Sequence, residues 1–409
     1  FLYLSIGITM KQIRSPRPFT IFLLILFILV TNPMHCMSGE DIIFRKDILK
    51  RNENGYHTYR IPTMVITAKG TVIIFCEGRK TSRRDHGDVD LIMTRSMDGG
   101  RTWSGHKLIH EEGGNDPIRV GNPCPIIESD GKTIHLLFTR GGGECLFYTK
   151  SVDEGLTWSP LVKSSDEPKA KEFSKDSFLK GFGGSPIHVG AGPVHGIQTK
   201  KGRLIAPSYV GRTVNGGRQG QSCIIFSDDL GKSWKAGGLI PYVSDFRTGE
   251  CTVVERTDGS LLMNMRASGP SSYSFGYRTV SISNDEGMTW SIPTVEKELP
   301  GPACQASMTR LNERELLFLN PAVHHAGGFN LWSRRNLTLR LSKDDGKTWF
   351  TSRMLNEGLA GYSDIAVKKN GQILCVFENG KKDYCEKISI ACLERSWLMT
   401  GEKTKKTFE

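Results

Sequence analysis

The sequence predicts an all-β protein built as a six-bladed β-propeller with four-stranded antiparallel blades. Three observations predict it: five copies of one turn motif, six strand–turn–strand hairpins, and a glycine-rich composition with little helical periodicity. The chain has 409 residues, of which 45 are glycine and 38% are hydrophobic. A chain of this length would ordinarily be divided into two or three domains, but a repeat fold can use it in one body.

The turn motif has the pattern Ser-x-Asp-x-Gly-x-Thr/Ser-Trp, and we call each copy a staple turn. The five copies are SMDGGRTW (96–103), SVDEGLTW (151–158), SDDLGKSW (227–234), SNDEGMTW (283–290) and SKDDGKTW (342–349). In such a turn the Asp carboxylate accepts hydrogen bonds from turn amides, the Gly takes a positive φ, and the Trp packs beneath the turn. Because chemistry in a repeat fold needs one asymmetric site, five equivalent copies indicate structural turns rather than catalytic groups.

Each of the six predicted hairpins has a short turn between two strand-like runs. The turns are at Lys69-Gly70, Asp130-Gly131, Lys201-Gly202, Asp258-Gly259, Asn312-Glu313 and Asn370-Gly371. The sixth unit has no staple turn, and the segment DIIFRKDIL (41–49) has no hairpin of its own. We therefore predict that this N-terminal strand completes the last blade and closes the ring without free edges.

The N-terminal segment is predicted to be a signal peptide. Lys11, Arg14 and Arg17 precede an apolar run over 19–30, which is shorter than the roughly 20 residues of a membrane span. The predicted organisation is upstream residues and signal peptide over 1–37 (start at Met10), a propeller over 38–398, and a basic tail over 399–409. We expect a secreted or exported protein (periplasmic, extracellular or lysosomal-type lumen) with no stable membrane span. An uncleaved N-terminal anchor is the alternative.

The formal net charge is +11, and three of those charges lie in the predicted leader. A basic balance suits an anionic partner. Nucleic acid is not expected, because no run of basic residues has interleaved aromatics. The ten cysteines contain no CxxC pair, so no zinc site is predicted. Most are expected to be buried thiols, with Cys385–Cys392 or Cys124–Cys145 as possible pairs in an oxidising compartment.

Polar residues occupy equivalent positions in several hairpins. On the first strands, four of them lie nine or ten residues before the turn glycine: Arg60, Asn122, Glu250 and Tyr362. On the return strands, four lie seven or nine residues after it: Glu77, Arg79, Arg266 and Glu378. Equal offsets in equivalent blades place these groups at one end of the inner strands, so they are predicted to face one axial pocket.

Residues 40–395 resemble the exo-α-sialidase family of the type shared by bacteria and animals. The resemblance rests on YRIP (59–62), FCEGR (75–79) and the staple turns, which that family calls Asp-boxes or BNR repeats. It implies that Arg60, Arg266 and Arg334 clamp the substrate carboxylate through paired guanidinium hydrogen bonds. Arg335 is the adjacent alternative. Arg334 is preferred because it lies 28 residues before Tyr362.

The resemblance also implies three catalytic groups. Tyr362 in AGYSD matches the nucleophile, Glu250 in TGECTVVE its partner base, and Asp85 in RRDHGDVD the acid/base. A neutral phenol avoids the repulsion that a carboxylate nucleophile would meet from the sugar's own carboxylate, and Glu250 takes the phenol proton during attack. Asp88 and Asp90 are rivals for the acid/base role.

Supporting positions follow from the same resemblance. Arg79 matches a residue on the glycerol or carboxylate side, Glu378 orients the first clamp arginine, and Glu77 orients another. Asn122 stands where some bacterial relatives have an aspartate, so the recognition of the N-acyl group is left open. Tyr209 is expected to shape the leaving-group side.

The implied function is a retaining exo-α-sialidase that hydrolyses terminal sialic acid from glycoproteins, oligosaccharides and gangliosides, with no metal or cofactor. Two alternatives remain at this point: a non-catalytic propeller that binds glycans or proteins, and an enzyme that transfers the sialyl group. A binder has no need of Tyr362, Glu250 and Asp85 together, so the sequence favours an enzyme, and hydrolysis is the default reaction.

Overall fold

The computed structural model describes residues 42–141, 143, 145–163, 188–214, 217–269, 274–327 and 330–403. These residues form an all-β, propeller-like arrangement of five sheets, and the strands within each sheet pair antiparallel. The predicted signal peptide and the end of the basic tail lie outside the described residues. None of the helices in the described part of the chain has the length and apolar character of a membrane span.

The first two sheets have four strands each, in chain order. The described chain begins with β1 (Ile42–Lys50), which pairs with a strand near the other end of the chain. The first sheet contains β2 (Thr58–Ile66), β3 (Val72–Arg79), β4 (Val89–Ser96) and β5 (Lys107–His110). The second contains β6 (Val120–Ile127), β7 (Ile134–Arg140), β8 (Cys145–Ser151) and β9 (Val162–Lys163).

The third and fourth sheets have five and six strands. The third contains β10 (His188–Ala191), β11 (Ile197–Gln198), β12 (Leu204–Val214), β13 (Gly217–Ser227) and β14 (Lys235–Leu239). The fourth begins with β15 (Arg247–Glu255), β16 (Leu261–Ser268), β17 (Ser274–Phe275), β18 (Tyr277–Ser283) and β19 (Thr294–Pro300). After β20 (Ser307–Arg310) and β21 (Leu316–Pro321), the short β22 (Ala326–Gly327) returns to the fourth sheet and pairs with β17.

The fifth sheet has eight strands and contains both ends of the described chain. Besides β1, β20 and β21 it contains β23 (Arg335–Ser342), β24 (Thr351–Val367), β25 (Ile373–Asn379), β26 (Lys387–Leu393) and β27 (Glu402–Lys403). The long β24 pairs with β23 through its first half and with β25 through its second half. Strand β1 pairs with β26, and helix α1 (Arg395–Met399) follows β26.

Buried apolar side chains join each sheet to the next. Phe75 of the first sheet and Leu136 of the second belong to one cluster, and both are fully buried. The first sheet also packs against the last, because Ile74 shares a cluster with Leu374 and Ile388. Each fully buried side chain of this size stabilises the fold by about 1.5–3 kcal/mol, so burial between sheets positions the strands that carry polar residues.

The staple turns have the predicted geometry. In SDDLGKSW, Asp229 Oδ1 accepts hydrogen bonds from the Ser227 hydroxyl (2.8 Å) and the Ser233 amide (2.9 Å). The Gly231 amide donates to Ser227 Oγ, and Gly231 has a φ of +79°. Trp234 is only 2% exposed and packs in the core between the second and third sheets. The other four copies repeat the Ser–Asp hydrogen bond at 2.8–2.9 Å.

The nine described cysteines are all buried free thiols. The prediction of buried thiols is therefore confirmed for them, and neither alternative disulfide is formed. Cys124 and Cys145 are opposite Leu137 and Arg140, three positions apart along β7, which corresponds to about 10 Å. A disulfide needs Cα atoms within about 7 Å. Likewise, Cys385 precedes β26 while Cys392 lies near its far end.

Candidate active site

One pocket of about 920 Å³ brings together the predicted catalytic and clamp residues. Eight of the residues predicted from the sequence line it: Arg60, Asp85, Asn122, Tyr209, Glu250, Arg266, Arg334 and Tyr362. They come from all five sheets or from loops between their strands. The described lining contains no staple-turn residue, which agrees with a structural role for those turns.

A break in strand register occurs at each of four site residues, which the sequence did not reveal. Register shifts fall between Arg60 and Thr63, Gly121 and Cys124, Thr248 and Cys251, and Ala360 and Ser363. Bulges of this kind redirect a side chain and end local pairing, and they are frequent beside active sites. At two of them the backbone is strained, because Ile61 and Asn122 have φ values of +60° and +53°.

The centre of the pocket is a hydrogen-bonded group of three side chains. The Tyr362 hydroxyl donates to Glu250 Oε1 at 2.5 Å. Arg266 Nη1 donates to Glu250 Oε2 at 2.7 Å and to the Tyr362 oxygen at 3.2 Å. A phenol, a carboxylate that can accept its proton and a cation beside the phenol oxygen therefore lie in direct contact.

Burial and charge set the protonation of this group. Burial raises the pKa of the Tyr362 phenol well above its ordinary value, and the charge of Glu250 raises it further against the opposing charges of Arg266 and Arg334. Burial also raises the pKa of Glu250, but the charge of Arg266 and the hydrogen bond from Tyr362 bring it below its ordinary value. At neutral pH the pair is therefore a neutral phenol and a carboxylate.

Two further arginines enclose the Tyr362 ring. The guanidinium carbons of Arg60 and Arg334 lie 5.4 and 5.3 Å from its centroid, and similarly close to the ring of Tyr384. Arg334 is buried and lines the pocket, whereas Arg335 is exposed at the start of β23. The structure thus places Arg334, and not Arg335, with the other two predicted clamp arginines.

Glu378 connects Arg60 to Tyr362. This fully buried carboxylate accepts hydrogen bonds from Arg60 Nε and the Ile61 amide, each at 2.7 Å, and from the Tyr362 amide at 3.0 Å. The structure contains the expected hydrogen bond between Glu378 and Arg60, and the role of Glu378 in orienting that arginine stays a prediction. The bonds to two backbone amides go beyond it, because they hold the bulges of β2 and β24 together.

Asp85 reaches the pocket from the loop between β3 and β4. Its side chain is 72% exposed, with Oδ1 2.8 Å from Arg79 Nη2 and 3.6 Å from Arg60 Nη1. Partial burial raises the pKa of Asp85, but the charges of Arg60 and Arg79 lower it well below its usual range. The rivals Asp88 and Asp90 both pair with Lys80 and do not line this pocket.

The contacts of Glu77 contradict one prediction. It does not orient a clamp arginine; its carboxylate binds Arg79 (2.6 Å) and Arg119 (2.8 Å). Glu77 and Arg79 are fully buried beneath the pocket. Arg119 in turn donates to Asn122 Oδ1 at 2.9 Å. The wrong prediction arose because Arg119 lies directly before the first strand of the next sheet, and the spacing within one hairpin does not reveal such a partner.

Asn122 joins this network to Tyr209. Its amide nitrogen donates to the Tyr209 hydroxyl at 2.7 Å, and burial raises the pKa of Tyr209 to about 12. One polar wall of the pocket is therefore continuous across the first three sheets.

Several lining residues were missed by sequence reasoning: Arg51, His57, Ile61, Ser82, Arg83, Arg84, His86, Arg119, Asp383 and Tyr384. Three of them flank Asp85 in the motif RRDHGDVD, so their proximity to it was a usable signal. Tyr384 lies in the loop after β25 and has no equivalent offset in other hairpins. Among the described residues, no group of three or more His, Cys, Asp or Glu side chains is arranged to hold a metal ion.

Comparisons with known proteins agree on one family. Residues 70–375 match the BNR repeat-like domain family. The chain is 28% identical over 369 residues to a sialidase of Micromonospora viridifaciens, covering 84% of this chain and 53% of that protein. It is 30% identical over 291 residues to a sialidase of Clostridium perfringens, covering 66% of this chain and 70% of that protein. The chain thus spans about half the length of the Micromonospora relative.

Solved structures show the same fold. The Hadza microbial sialidase Hz136 superposes with a TM-score of 0.70 at 24% identity, covering 87% of this chain and 69% of that one. A Trypanosoma rangeli sialidase, solved with 2,3-difluorosialic acid as a covalent intermediate, superposes with a TM-score of 0.68 at 19% identity, covering 87% and 59%.

Proposed function

Because this chain belongs to the exo-α-sialidase family of BNR-repeat proteins, we propose that it is a glycoside hydrolase that releases terminal α-linked sialic acid from glycoconjugates. The observation that carries the proposal is the 2.5 Å hydrogen bond from Tyr362 to Glu250 inside a cluster of three arginines. A glycan-binding propeller would need the arginines but not an activated phenol.

The substrate carboxylate binds to Arg60, Arg266 and Arg334. All three guanidinium groups contact Tyr362, so a carboxylate held by them is adjacent to the tyrosine. Planar guanidinium groups donate paired hydrogen bonds to carboxylates, which fixes the sugar's position as well as its charge. Holding the reacting carbon next to the nucleophile removes much of the entropic cost of the reaction.

Tyr362 attacks the anomeric carbon as its proton passes to Glu250. A C–O bond forms to the phenol oxygen while the bond to the leaving group breaks. Sialidases with a tyrosine nucleophile are among the known exceptions to the two-carboxylate scheme of glycosidases. Support comes from the neutral phenol and ionised Glu250 that the pKa shifts indicate. The covalent intermediate of the Trypanosoma rangeli sialidase with 2,3-difluorosialic acid is consistent with such a route.

Asp85 serves as acid and then as base. It protonates the leaving oxygen in the first step and removes a proton from water in the second. The water oxygen bonds to the anomeric carbon while the bond to Tyr362 breaks and the phenol oxygen regains its proton from Glu250. Two displacements at the same carbon leave the anomeric configuration of the product retained. An acid must be protonated first, although Arg60 and Arg79 lower the pKa of Asp85 in the free protein. The substrate carboxylate offsets the charge of Arg60, which raises the pKa of Asp85 toward working pH.

The fold supporting this site is proposed to have six blades. The eight-stranded sheet divides at the middle of β24 into two units, which with the other four sheets gives six. The pairing of β1 with β26 supports closure of the ring by the N-terminal strand. Residues 38–398 are the proposed catalytic domain. We propose export of the protein on its N-terminal signal, and sialylated glycoproteins, oligosaccharides and gangliosides as its substrates.

The test is turnover of a fluorogenic sialoside by the wild type, Tyr362→Phe and the control Tyr242→Phe. Tyr242 is 57% exposed and lies outside the pocket lining. Tyr362→Phe is expected to lose at least a thousandfold in kcat, and Tyr242→Phe less than twofold. Proton NMR of the first product should show the α anomer. A wild type inert on every sialoside would refute the hydrolase, and a β product would remove Tyr362 from the nucleophile role.

A further inference from the structure

The pocket lining contains more positive charge than a single carboxylate requires. Among its described residues are seven arginines and three acidic residues. Three of the arginines form the proposed clamp. Arg119 is bound to Glu77, and Arg51 to Asp383 at 2.9 Å. These pairings leave the two remaining arginines, which are neighbours in sequence.

Those two arginines lie directly before the proposed acid/base. We call residues 82–86 the acid loop; Arg83, Arg84 and His86 all line the pocket beside Asp85. Arg83 has a 44% exposed side chain with a contact of 3.3 Å to Asp383, which Arg51 already binds. Among the described residues, the exposed Arg84 side chain has no ion pair or hydrogen bond.

The backbone of the acid loop is nevertheless held in place. The buried Arg79 donates to the carbonyl oxygen of Arg83 through Nη1 and binds the Asp85 carboxylate through Nη2. One guanidinium therefore fixes the chain on both sides of Arg84. The Lys80 amide also bonds to the Asp88 carbonyl oxygen at 3.1 Å and closes the base of the loop. The backbone on both sides of Arg84 is thus held in place, and the exposed Arg84 lines the pocket.

The chemistry of the reaction decides what lies next to that cation. An acid that protonates the glycosidic oxygen must be within hydrogen-bond reach of it. The sugar to which the terminal sialic acid is attached is therefore next to Asp85 and the acid loop. The pocket volume of about 920 Å³ is near the upper end of the range for sites that bury drug-sized ligands, so it has room for part of that second sugar.

From this arrangement we infer that the acid loop, through Arg84 with Arg83, binds an anionic group on the sugar next to the terminal sialic acid. Either the carboxylate of a second, internal sialic acid or a sulfate ester has the required chemistry. The inference rests on the proposed hydrolase and on Asp85 as its acid/base. It deepens that proposal by specifying anionic glycans as preferred substrates.

The experiment compares substrates that differ in one charge. The first pair is an α2,8-linked disialoside with its internal carboxylate free or converted to the carboxamide. The second is sialyl-lactose with and without a 6-sulfate on galactose. We measure kcat/KM for each with the wild type, Arg84→Gln and the control Arg314→Gln. Arg314 is an exposed arginine in the turn between β20 and β21, outside the pocket lining.

The measured quantity is a ratio for each pair of substrates. It is kcat/KM for the substrate with the additional anionic group divided by kcat/KM for the substrate without it. For the wild type this ratio should be roughly three to ten, as expected for one partly exposed charge contact. Arg84→Gln should reduce it to near one, and Arg314→Gln should leave it unchanged. Because salt screens such contacts, the wild-type ratio should also decrease when the salt concentration is raised from about 20 to about 300 mM.

The outcomes separate the possibilities. An effect only in the carboxamide pair identifies oligosialyl glycans, one only in the sulfate pair identifies sulfated glycans, and an effect in both identifies any anion at this position. Ratios near one for the wild type in both pairs, or an Arg84→Gln ratio equal to the wild type's, would overturn the inference while leaving the hydrolase intact. Failure of the proposed hydrolase itself would appear as no turnover of the substrates that lack the additional anionic group.

Discussion

Replacing Glu378 by Gln tests how the site is held together. The carboxylate accepts four N–H hydrogen bonds, two from Arg60 and one each from the Ile61 and Tyr362 amides, and all of its surface is buried. Glutamine has nearly the same shape but only one acceptor oxygen. Its NH₂ group would therefore face either the Tyr362 amide or the donors of β2, and donor would meet donor.

The magnitude follows from those contacts. A hydrogen bond to a charged group contributes about 1.5–3 kcal/mol, and a buried donor left without an acceptor costs about 1–3 kcal/mol. Arg60 also loses the carboxylate 2.7 Å from its Nε, and breaking a buried ion pair on one side costs about 3–5 kcal/mol. These terms describe the same contacts and are not summed. We expect a loss of about 3–5 kcal/mol in the free energy of unfolding.

Activity should fall as well, because Arg60 of the proposed clamp and the proposed nucleophile Tyr362 both shift. Misplacement of reacting groups by about 1 Å can reduce the rate a hundredfold. We expect KM to rise and kcat to fall, with kcat/KM roughly ten- to a hundredfold lower. Urea denaturation gives the stability, and sialoside kinetics below the unfolding transition give kcat and KM separately.

The matched control is Glu357→Gln, which removes the same charge from an exposed position in β24. It should change the free energy of unfolding by no more than about 0.5 kcal/mol and leave the kinetics unaltered. If Glu378→Gln cost under about 1 kcal/mol and kept the wild-type KM, the connection between clamp and tyrosine would be wrong.

Two further predictions concern pH and the staple turns. In the proposed mechanism Glu250 must be ionised to accept the phenol proton, so kcat/KM should decline as pH falls through the lowered pKa of Glu250. Arg266→Gln removes the neighbouring positive charge and should move this acid limb of the pH profile upward by roughly one pH unit. An unmoved limb would exclude Glu250 as the base. Asp229→Ala should cost about 1–3 kcal/mol in urea denaturation with KM unchanged, and an altered KM would contradict a purely structural role. Burial raises the pKa of Asp229, but bonds from the Ser233 hydroxyl and amide lower it more, so its contribution is present above about pH 3.9 and is lost as pH falls through the folded pKa.

The sequence by itself determined the all-β, propeller-like character of the fold and the structural turns. Strand alternation and turn chemistry depend on residues a few positions apart, so the five Ser–Asp staples could be predicted without coordinates. The offsets of Arg60, Asn122, Glu250 and Tyr362 from their turns were equally informative. In a repeat fold, equal spacing along equivalent strands means equal height in the molecule, and all four residues do line one pocket.

Tertiary structure decided everything that depends on contacts between sheets. It selected Arg334 over Arg335, because only one of two adjacent side chains points inward. It placed Asp85, and not Asp88 or Asp90, in the pocket lining, and it paired Glu77 with Arg119, which lies directly before the first strand of the following sheet.

The bulges and the hydrogen bonds of Glu378 also depend on contacts between residues that are distant in sequence. The residues in the bulges can be read from the sequence, but their positive φ values cannot. The positive φ of Ile61 occurs where Glu378, 317 residues away, accepts the Ile61 amide, and that of Asn122 where Glu77 accepts the Asn122 amide. Local patterns fix strands and turns because those interactions are short-range in sequence. The chemistry of the site depends on long-range contacts, and only the folded chain brings those partners together.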